Sequence, residues 1–159
     1  MDEPASTPPI FHLALVHPEI PQNAGNVGRM CLGVGAKLHL VHPLGFSTHE
    51  SAVRRAGLDY WKHVDLMEHA SLDAFWEWVG ERRVWCLSSQ GTVPYTRAPY
   101  AVGDVLVFGR ESVGLPPEVL AGRNLLQIPM TGPTRSLNLS NAAAVVAYAA
   151  LARLRPELF

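Results

Sequence analysis

The sequence predicts an α/β fold, with a mostly parallel sheet flanked by helices. Short apolar runs typical of buried strands alternate along the chain with longer segments whose apolar residues have helical spacing. Such alternation is typical of strand–helix–strand units, whose consecutive strands run parallel. Polar, glycine-containing loops follow several of the strand-like runs, at the edge where open parallel sheets bind their ligands.

The first half of the chain contains three predicted strands and two predicted helices. The strands are expected at residues 11–17, 37–42 and 63–67, and the first helix at residues 23–35. Ser71 should cap the second helix, which runs to Val79, because a serine hydroxyl accepts a hydrogen bond from a free amide of the first turn.

The second half contains three more strands, expected at residues 83–88, 104–108 and 125–129. Pro116 and Pro117 are expected to begin a short helix, and residues 139–155 a long, alanine-rich one. We expect a single domain over residues 10–159. Residues 1–9, which carry two acids and three prolines, are expected to form a disordered tail.

The composition is that of a globular domain, because 48% of the 159 residues are hydrophobic and 17% are charged. No run of about 18 apolar residues is present and the start does not resemble a signal peptide, so a cytoplasmic protein without a membrane span is expected. Cys31 and Cys86 are expected to be buried thiols rather than a disulfide. No residues have metal-ligand spacing, so no metal is expected.

The charge balance by itself does not indicate nucleic-acid binding, since the net charge is -1 and the pI is about 6.6. Arginine nevertheless supplies 11 of the 13 basic residues. Arginine is suited to planar, bidentate contacts with phosphate. A GC-rich genome would produce the same bias, and composition does not separate the two explanations.

Two polar loops follow the first and fifth predicted strands. In the first, Asn23 and Arg29 lie in the opening turns of a helix, whose free amides favour anions, although an ordinary turn with a surface arginine has the same pattern. In the second, Gly109 would let a ligand approach the backbone closely before Glu111. The alternative there is a plain loop in which Glu111 pairs with Arg110.

A third loop contains four uncharged polar residues, Ser136, Asn138, Ser140 and Asn141, just before the alanine-rich helix. A helix cap needs one such residue, and the excess favours a ligand with many hydrogen-bonding edges, such as an adenine and a ribose. The alternative is a long cap with polar groups facing solvent.

Nucleotide-binding motifs of other classes are absent. Gly33 and Gly35 end the first predicted helix instead of opening it, and the third glycine of a dinucleotide fingerprint is missing. The second predicted strand ends in His42 with no acidic residue beside it, which disfavours a nicotinamide cofactor. No phosphate-binding P-loop motif is present.

Taken in order, the three loops resemble the SpoU branch of the SPOUT methyltransferases. The family motif N-x-G-x-x-x-R matches Asn23, Gly25 and Arg29, and G-x-E-x-x-G-L matches residues 109–115. The third motif, I-P-M followed by S-L-N-x-S-N-A, matches residues 128–130 and 136–142. The likeness extends over residues 11–155 and is greatest to a minimal subfamily, through residues 18–26, 43–46 and 54–60.

The resemblance implies a ribose 2′-O-methyltransferase that uses S-adenosyl-L-methionine (SAM) and a deep trefoil knot in the C-terminal half. The subfamily likeness implies a homodimer that acts on the wobble nucleotide, cytidine or uridine, in the anticodon stem-loop of tRNA. By motif position, the cofactor-binding residues would be Leu87, Gly109, Ile128, Met130, Ser136, Leu137 and Asn138.

The resemblance also implies a catalytic group made of Arg29, Asn23, Glu111 and Asn141. In the family the arginine is assigned to activating the 2′-hydroxyl, but an arginine side chain rarely loses its proton. We therefore favour an electrostatic role, in which Arg29 stabilises the developing alkoxide while a substrate phosphate takes the proton. The other three residues would orient Arg29 and the cofactor.

Four residues are candidates for RNA binding: Arg54, Arg55, Tyr60 and Arg153. Aromatic rings stack on unpaired bases and arginines hold phosphates. Equally, Tyr60 and its neighbour Trp61 would suit the core or a dimer interface, and Arg153 would suit the negative end of a helix dipole.

Three other functions remain open on the sequence alone. The chain could be a SpoU methyltransferase for another tRNA or rRNA position, a SAM-binding or RNA-binding protein without catalysis, or an unrelated α/β domain. The absence of an added RNA-binding domain favours the wobble position. The presence of Asn23, Arg29 and Glu111 together favours an enzyme.

Overall fold

The computed structural model describes residues 7–49 and 59–159, and in these ranges seven parallel strands form one sheet. The strand order is β3-β2-β1-β6-β4-β7-β5, and every neighbouring pair is parallel. The strands are β1 (His12–Val16), β2 (Lys37–Val41), β3 (Leu66–His69), β4 (Val84–Leu87), β5 (Val93–Pro94), β6 (Val105–Phe108) and β7 (Asn124–Gln127).

Four α-helices lie in the described ranges: α1 (Pro21–Val34), α2 (Leu72–Val79), α3 (Pro117–Leu120) and α4 (Leu139–Leu154). Ser71 caps α2 as predicted, because its hydroxyl accepts the amide of Ala74 at 3.1 Å. None of these helices is long and apolar enough to span a membrane.

Strand alternation divides the core into two layers, one on each face of the sheet. In β1, Leu13 and Leu15 pack on the face covered by α1 and α4, whereas Ala14 and Val16 pack on the face covered by α2 and α3. Burial on both faces explains why the central strands β1 and β6 are almost wholly apolar, and the parallel sheet with helices on both faces confirms the predicted α/β class.

The structure corrects the prediction at two strands. The third strand was expected at residues 63–67 but lies at Leu66–His69, because Trp61–His63 forms a 3₁₀ turn that ends at Val64. The pair Val93–Pro94 adds a strand that periodicity could not indicate, since it is only two residues long. The trefoil knot stays a prediction, because strand order and pairing do not trace the path of the connecting loops.

Both cysteines are free and buried, as expected. Burial raises the pKa of the Cys31 thiol to about 12 and that of Cys86 to about 11. Both side chains therefore behave as small apolar residues of the core.

A carboxylate anchors the amino-terminal edge of the sheet. Asp104, which is 4% exposed, accepts hydrogen bonds from the Arg83 guanidinium, the Trp85 indole at 2.8 Å and the Ala101 amide at 2.9 Å. These contacts join the starts of β4 and β6 and satisfy a charge that would otherwise be buried alone.

Three histidines on adjacent strands form a buried chain beneath α2. A hydrogen bond of 2.9 Å joins His12 Nδ1 to His39 Nε2, and another of 2.9 Å joins His39 Nδ1 to His69 Nε2. His39 is fully buried, with the ring of Trp78 centred 4.2 Å away. Burial, followed by the neighbouring His12 and His69 and then by Lys37 and Arg82, lowers the pKa of His39 to about 2. Burial, with the charges of Arg82 and Lys37 as lesser causes, lowers the pKa of His12 to about 4, and burial lowers the pKa of His69.

We predict that this chain of three histidines makes the fold sensitive to acid. In the unfolded protein these histidines bind protons below about pH 6.5, whereas the folded protein leaves His39 neutral, so stability falls as the pH falls below that value. The slope from His39 alone is about 1.4 kcal/mol per pH unit. Urea unfolding of the wild type and of His39→Gln, at about pH 7.5 and at about pH 5, measures this change in the free energy of unfolding.

The variant should lose less stability between the two pH values than the wild type, whatever its stability at neutral pH. His49→Gln, a change at an exposed histidine, is the matched control and should keep the wild-type slope. An equal loss of stability with falling pH in all three proteins would show that the histidine chain has no role in acid sensitivity.

Candidate active site

A cleft of about 590 Å³ opens at the carboxyl edge of the sheet. It lies among the loops that follow β1, β4, β6 and β7, where ligands bind in open parallel sheets. Its volume is within the range of about 300–1,000 Å³ that is typical of small-molecule sites.

Every residue predicted to bind a cofactor lines this cleft. Chain segments that are far apart in sequence come together here, with apolar walls from three loops and polar groups between them. The seven predicted cofactor-binding residues are Leu87, Gly109, Ile128, Met130, Ser136, Leu137 and Asn138. Of the four predicted catalytic residues, Asn23 and Glu111 also line the cleft, whereas Arg29 and Asn141 are exposed side chains outside its lining.

The Glu111 carboxylate ties the loop after β6 to the start of α1. Its Oε2 accepts the amide of Glu19 at 2.8 Å, and its Oε1 accepts the amide of Ile20 at 3.1 Å and the side-chain amide of Asn23 at 3.3 Å. In the described ranges, the partners of this carboxylate are therefore on the first loop, and the expected alternative of a pair with Arg110 is not observed.

Asn23 continues the connection to the third loop. It is 5% exposed, and its side-chain oxygen accepts a hydrogen bond from the side-chain nitrogen of Asn138 at 3.1 Å. The three motifs are thus joined by one hydrogen-bonded relay, Glu111–Asn23–Asn138. A buried amide with both of its ends satisfied fixes the relative positions of the groups around it.

Asn138 also caps α4. Its side-chain oxygen accepts the amide of Ser140 at 2.9 Å, the hydroxyl of Ser140 at 2.6 Å and the amide of Asn141 at 3.4 Å. The polar excess of the third loop therefore has two uses: Asn138 and Ser140 build the cap, and Ser136 faces the cleft. The cap is confirmed for Asn138 and Ser140, whereas a contact of this loop with a ligand stays a prediction.

Gly109 lies where the loop after β6 folds back on itself. A Cβ at this position would be 2.1 Å from the carbonyl carbon of Gly114 and 2.2 Å from the nitrogen of Leu115. Both contacts are with backbone, which cannot move aside as a flexible side chain would. The wall of the cleft therefore requires glycine here.

The structure describes only some of the predicted RNA-binding residues. Arg54 and Arg55 lie outside the described residues. Tyr60 is half-buried against α1, where its hydroxyl donates to the Gly25 carbonyl at 2.8 Å, and burial raises its pKa. The Arg29 guanidinium carbon lies 5.9 Å from the centre of the Tyr60 ring, so a cation and an aromatic face stand together on the surface of α1.

A polar stretch that sequence reasoning overlooked also lines the cleft. Ser88, Ser89 and Gln90 follow β4 directly, and their polarity after an apolar strand was the available signal. Among the described residues, no group of three or more histidine, cysteine, aspartate or glutamate side chains could hold a metal ion.

Comparisons with known proteins agree with this geometry. The sequence profile of the SpoU rRNA Methylase family matches residues 10–148. A tRNA (cytidine(34)-2′-O)-methyltransferase of Saccharophagus degradans is 45% identical over 148 residues, which are 91% of this chain and 96% of that protein. A solved structure from work on the 2-OH methylation of C/U34 on tRNA has a TM-score of 0.86 and 50% identity, over 92% of this chain and 97% of the other.

A third relative is similar in fold and contains a ligand. The AdoMet-bound rRNA methyltransferase of Sinorhizobium meliloti has a TM-score of 0.80 and is 25% identical to this chain. The matched part is 94% of this chain and 57% of that protein, so the relative has a substantial further portion.

We predict that Gly109→Ala disrupts the cleft. The added methyl group must displace the backbone of residues 114 and 115, and binding of SAM measured by calorimetry should weaken at least tenfold. Gly33→Ala is the matched control, because a Cβ there meets no atom within 4 Å on an exposed helical face. It should keep wild-type binding and raise stability by up to about 1 kcal/mol. Equal binding by both variants would contradict the close-approach argument.

Proposed function

Because the chain belongs to the SpoU rRNA Methylase family, we infer that it is a SAM-dependent enzyme that methylates the ribose 2′-hydroxyl of tRNA nucleotide 34, a cytidine or uridine. The wobble position follows from the relatives, which match this chain over nearly their full length. The single observation that carries the proposal is the relay that joins all three motifs around one cleft.

The residues of the cleft fit the cofactor. Gly109 leaves its backbone unshielded at the wall, and the apolar side chains of Leu87, Ile128 and Leu137 offer surfaces for an adenine ring. Ser136 offers a hydroxyl beside them. When it is bound, SAM supplies an electrophilic methyl group.

The relay holds these groups in place before substrate arrives. Glu111 fixes the start of α1 through two backbone amides, and Asn23 passes this constraint to Asn138 at the cap of α4. We assign Asn23 and Glu111 to positioning, and we keep Asn141 as a supporting residue at the exposed start of α4. Preorganisation of this kind lowers the entropy cost of aligning the reacting groups.

Arg29 is proposed to act on the RNA side of the reaction. Its exposed position on α1, outside the lining of the cleft, is accessible to a polynucleotide. A permanently charged guanidinium there stabilises negative charge that develops on the ribose oxygen, and a phosphate of the substrate accepts the proton. Tyr60, beside Arg29, and the exposed Arg153 are proposed to contact the anticodon stem-loop.

We also propose that the enzyme is a cytoplasmic homodimer. Three exposed residues near the C-terminus support association, because Tyr148, Leu158 and Phe159 are 47%, 59% and 70% exposed. Exposed aromatic and aliphatic side chains are enriched in protein interfaces. Pairing of two chains would also bring two sets of arginines together, which would concentrate positive charge for RNA binding although the net charge of one chain is -1.

Incubation of the purified protein with methyl-labelled SAM and unmodified tRNA transcripts tests the function. Label should appear on the ribose of nucleotide 34, and transcripts with 2′-deoxyribose at that position should remain unlabelled. Label on another nucleotide, or on rRNA alone, would replace the proposed substrate with that of a different SpoU enzyme. Binding of SAM without transfer to any RNA would indicate a non-catalytic protein.

We predict that the guanidinium of Arg29 matters beyond its charge. Arg29→Ala should lower kcat about 100-fold, since loss of one preorganised electrostatic group has an effect of that order. Arg29→Lys retains a charge but not the planar fork and should lower kcat at least about tenfold. Arg123→Lys, at an arginine that stacks on Trp76, is the control and should keep wild-type turnover. Near-full turnover by Arg29→Lys would exclude a specific guanidinium role.

A further inference from the structure

The segment between β1 and α1 is held firmly on one side by the neighbouring strand and loop. The backbone of His17 adopts a left-handed conformation with φ 55°, and its amide donates to the Val41 carbonyl at 3.0 Å. The amide of Gly45 donates to the Pro18 carbonyl at 3.0 Å, and a Cβ on Gly45 would lie 2.6 Å from the Glu19 carbonyl oxygen. Glu19 is therefore presented from a fixed backbone.

On its other side, Glu19 exchanges hydrogen bonds with the loop after β6. Its Oε1 accepts the Ser112 amide at 3.0 Å and the Ser112 hydroxyl at 2.6 Å. In return, the Glu19 amide donates to Glu111 Oε2 at 2.8 Å. The two segments form a closed ring of bonds, which we call the Glu19 clasp. The bonds from Ser112 also lower the pKa of Glu19, so its carboxylate is charged at neutral pH.

Glu19 acts on the wall of the cleft without being part of it. Glu111 and Ser112 line the cleft, as does Ile20, whereas the Glu19 side chain does not. Loop 110–114 has one cross-link of its own, in which the Gly114 amide donates to the Arg110 carbonyl at 2.9 Å. Two further charge-assisted bonds, which Ser112 donates to the Glu19 carboxylate, therefore restrict the middle of the loop.

We propose that Glu19 is a positioning residue for the cofactor, which holds Ser112 and with it loop 110–114 in the conformation that forms the wall of the cleft. The inference rests on the proposed function and assigns a task to a residue outside the cleft. A loop ordered before binding costs less conformational entropy when the cofactor arrives. Glu19 therefore governs the affinity for SAM rather than the rate of methyl transfer.

Steady-state kinetics with tRNA and calorimetry with S-adenosylhomocysteine test the proposal. Glu19→Ala should raise the KM for SAM and the Kd for S-adenosylhomocysteine about tenfold, while kcat changes less than about twofold. Glu19→Gln keeps an acceptor without the charge and should recover part of the affinity. Glu77→Ala removes an exposed carboxylate on α2, outside the lining of the cleft, and should match the wild type.

Ser112→Ala tests the other partner of the Glu19 contact. Folding should be preserved, since this is a serine-to-alanine change in an exposed loop. The variant should weaken binding in the same direction but by less, because the Ser112 amide still donates to Glu19. The double variant Glu19→Ala/Ser112→Ala should bind no more weakly than Glu19→Ala alone, since Glu19→Ala already removes the hydroxyl bond that Ser112→Ala removes. Full additivity in the double variant, or a fall in kcat equal to the rise in KM, would overturn the clasp as a positioning device.

The outcomes also separate this inference from the proposed function. A wild-type protein that binds S-adenosylhomocysteine and methylates tRNA, with Glu19→Ala and Ser112→Ala equal to it in affinity, overturns the inference alone. A wild-type protein that binds neither SAM nor S-adenosylhomocysteine overturns both. A lower melting temperature in Glu19→Ala, with unchanged affinity for S-adenosylhomocysteine, would show that Glu19 has a purely structural role.

Discussion

Asn23 is almost fully buried at the start of α1, and its amide group needs partners that two other loops supply. Its nitrogen donates to Glu111 and its oxygen accepts from Asn138. If either partner were absent, a polar group would be buried without a hydrogen bond, at a cost of about 1–3 kcal/mol. The positions of three loops therefore depend on one asparagine, and the cleft exists because those loops are held together.

The sheet supplies the rigid base on which this arrangement rests. Its central strands are buried on both faces, and Asp104 closes the edge opposite the cleft by binding Arg83 and Trp85. The histidine chain beneath α2 shows the cost of such complete burial. His39 remains neutral in the fold, so the same packing that stiffens the base also makes it vulnerable to acid.

Binding and chemistry are assigned to different parts of the site. The cleft contains glycine backbone, apolar walls and polar groups that bind one another, which is suited to holding a cofactor in a fixed pose. Arg29 and Tyr60 lie outside it on the surface of α1, where a large RNA can approach. Asn23, near the start of the same helix, belongs to the cleft, so α1 connects the two parts.

The sequence by itself determined the fold class and most of the elements, and it predicted a set of cofactor-binding residues that all line one cleft. Apolar runs buried on both faces and the capping serine at residue 71 are local signals, because a strand or a helix end is specified by residues close together in the chain. The strand predicted at residues 63–67 was misplaced, because Val64 is apolar and buried as the end of a 3₁₀ turn rather than as part of a strand.

Only the tertiary structure decided how these residues cooperate. Asn23 and Glu111 are 88 positions apart, and Asn23 and Asn138 are 115 apart, so no local pattern could show that they bond. Strand order was equally hidden, because β6 inserts between β1 and β4 through long-range pairing. Sequence could name Glu111 as important, but the fold showed that it binds α1 rather than Arg110, since a carboxylate takes whichever donors the packed backbone brings to it.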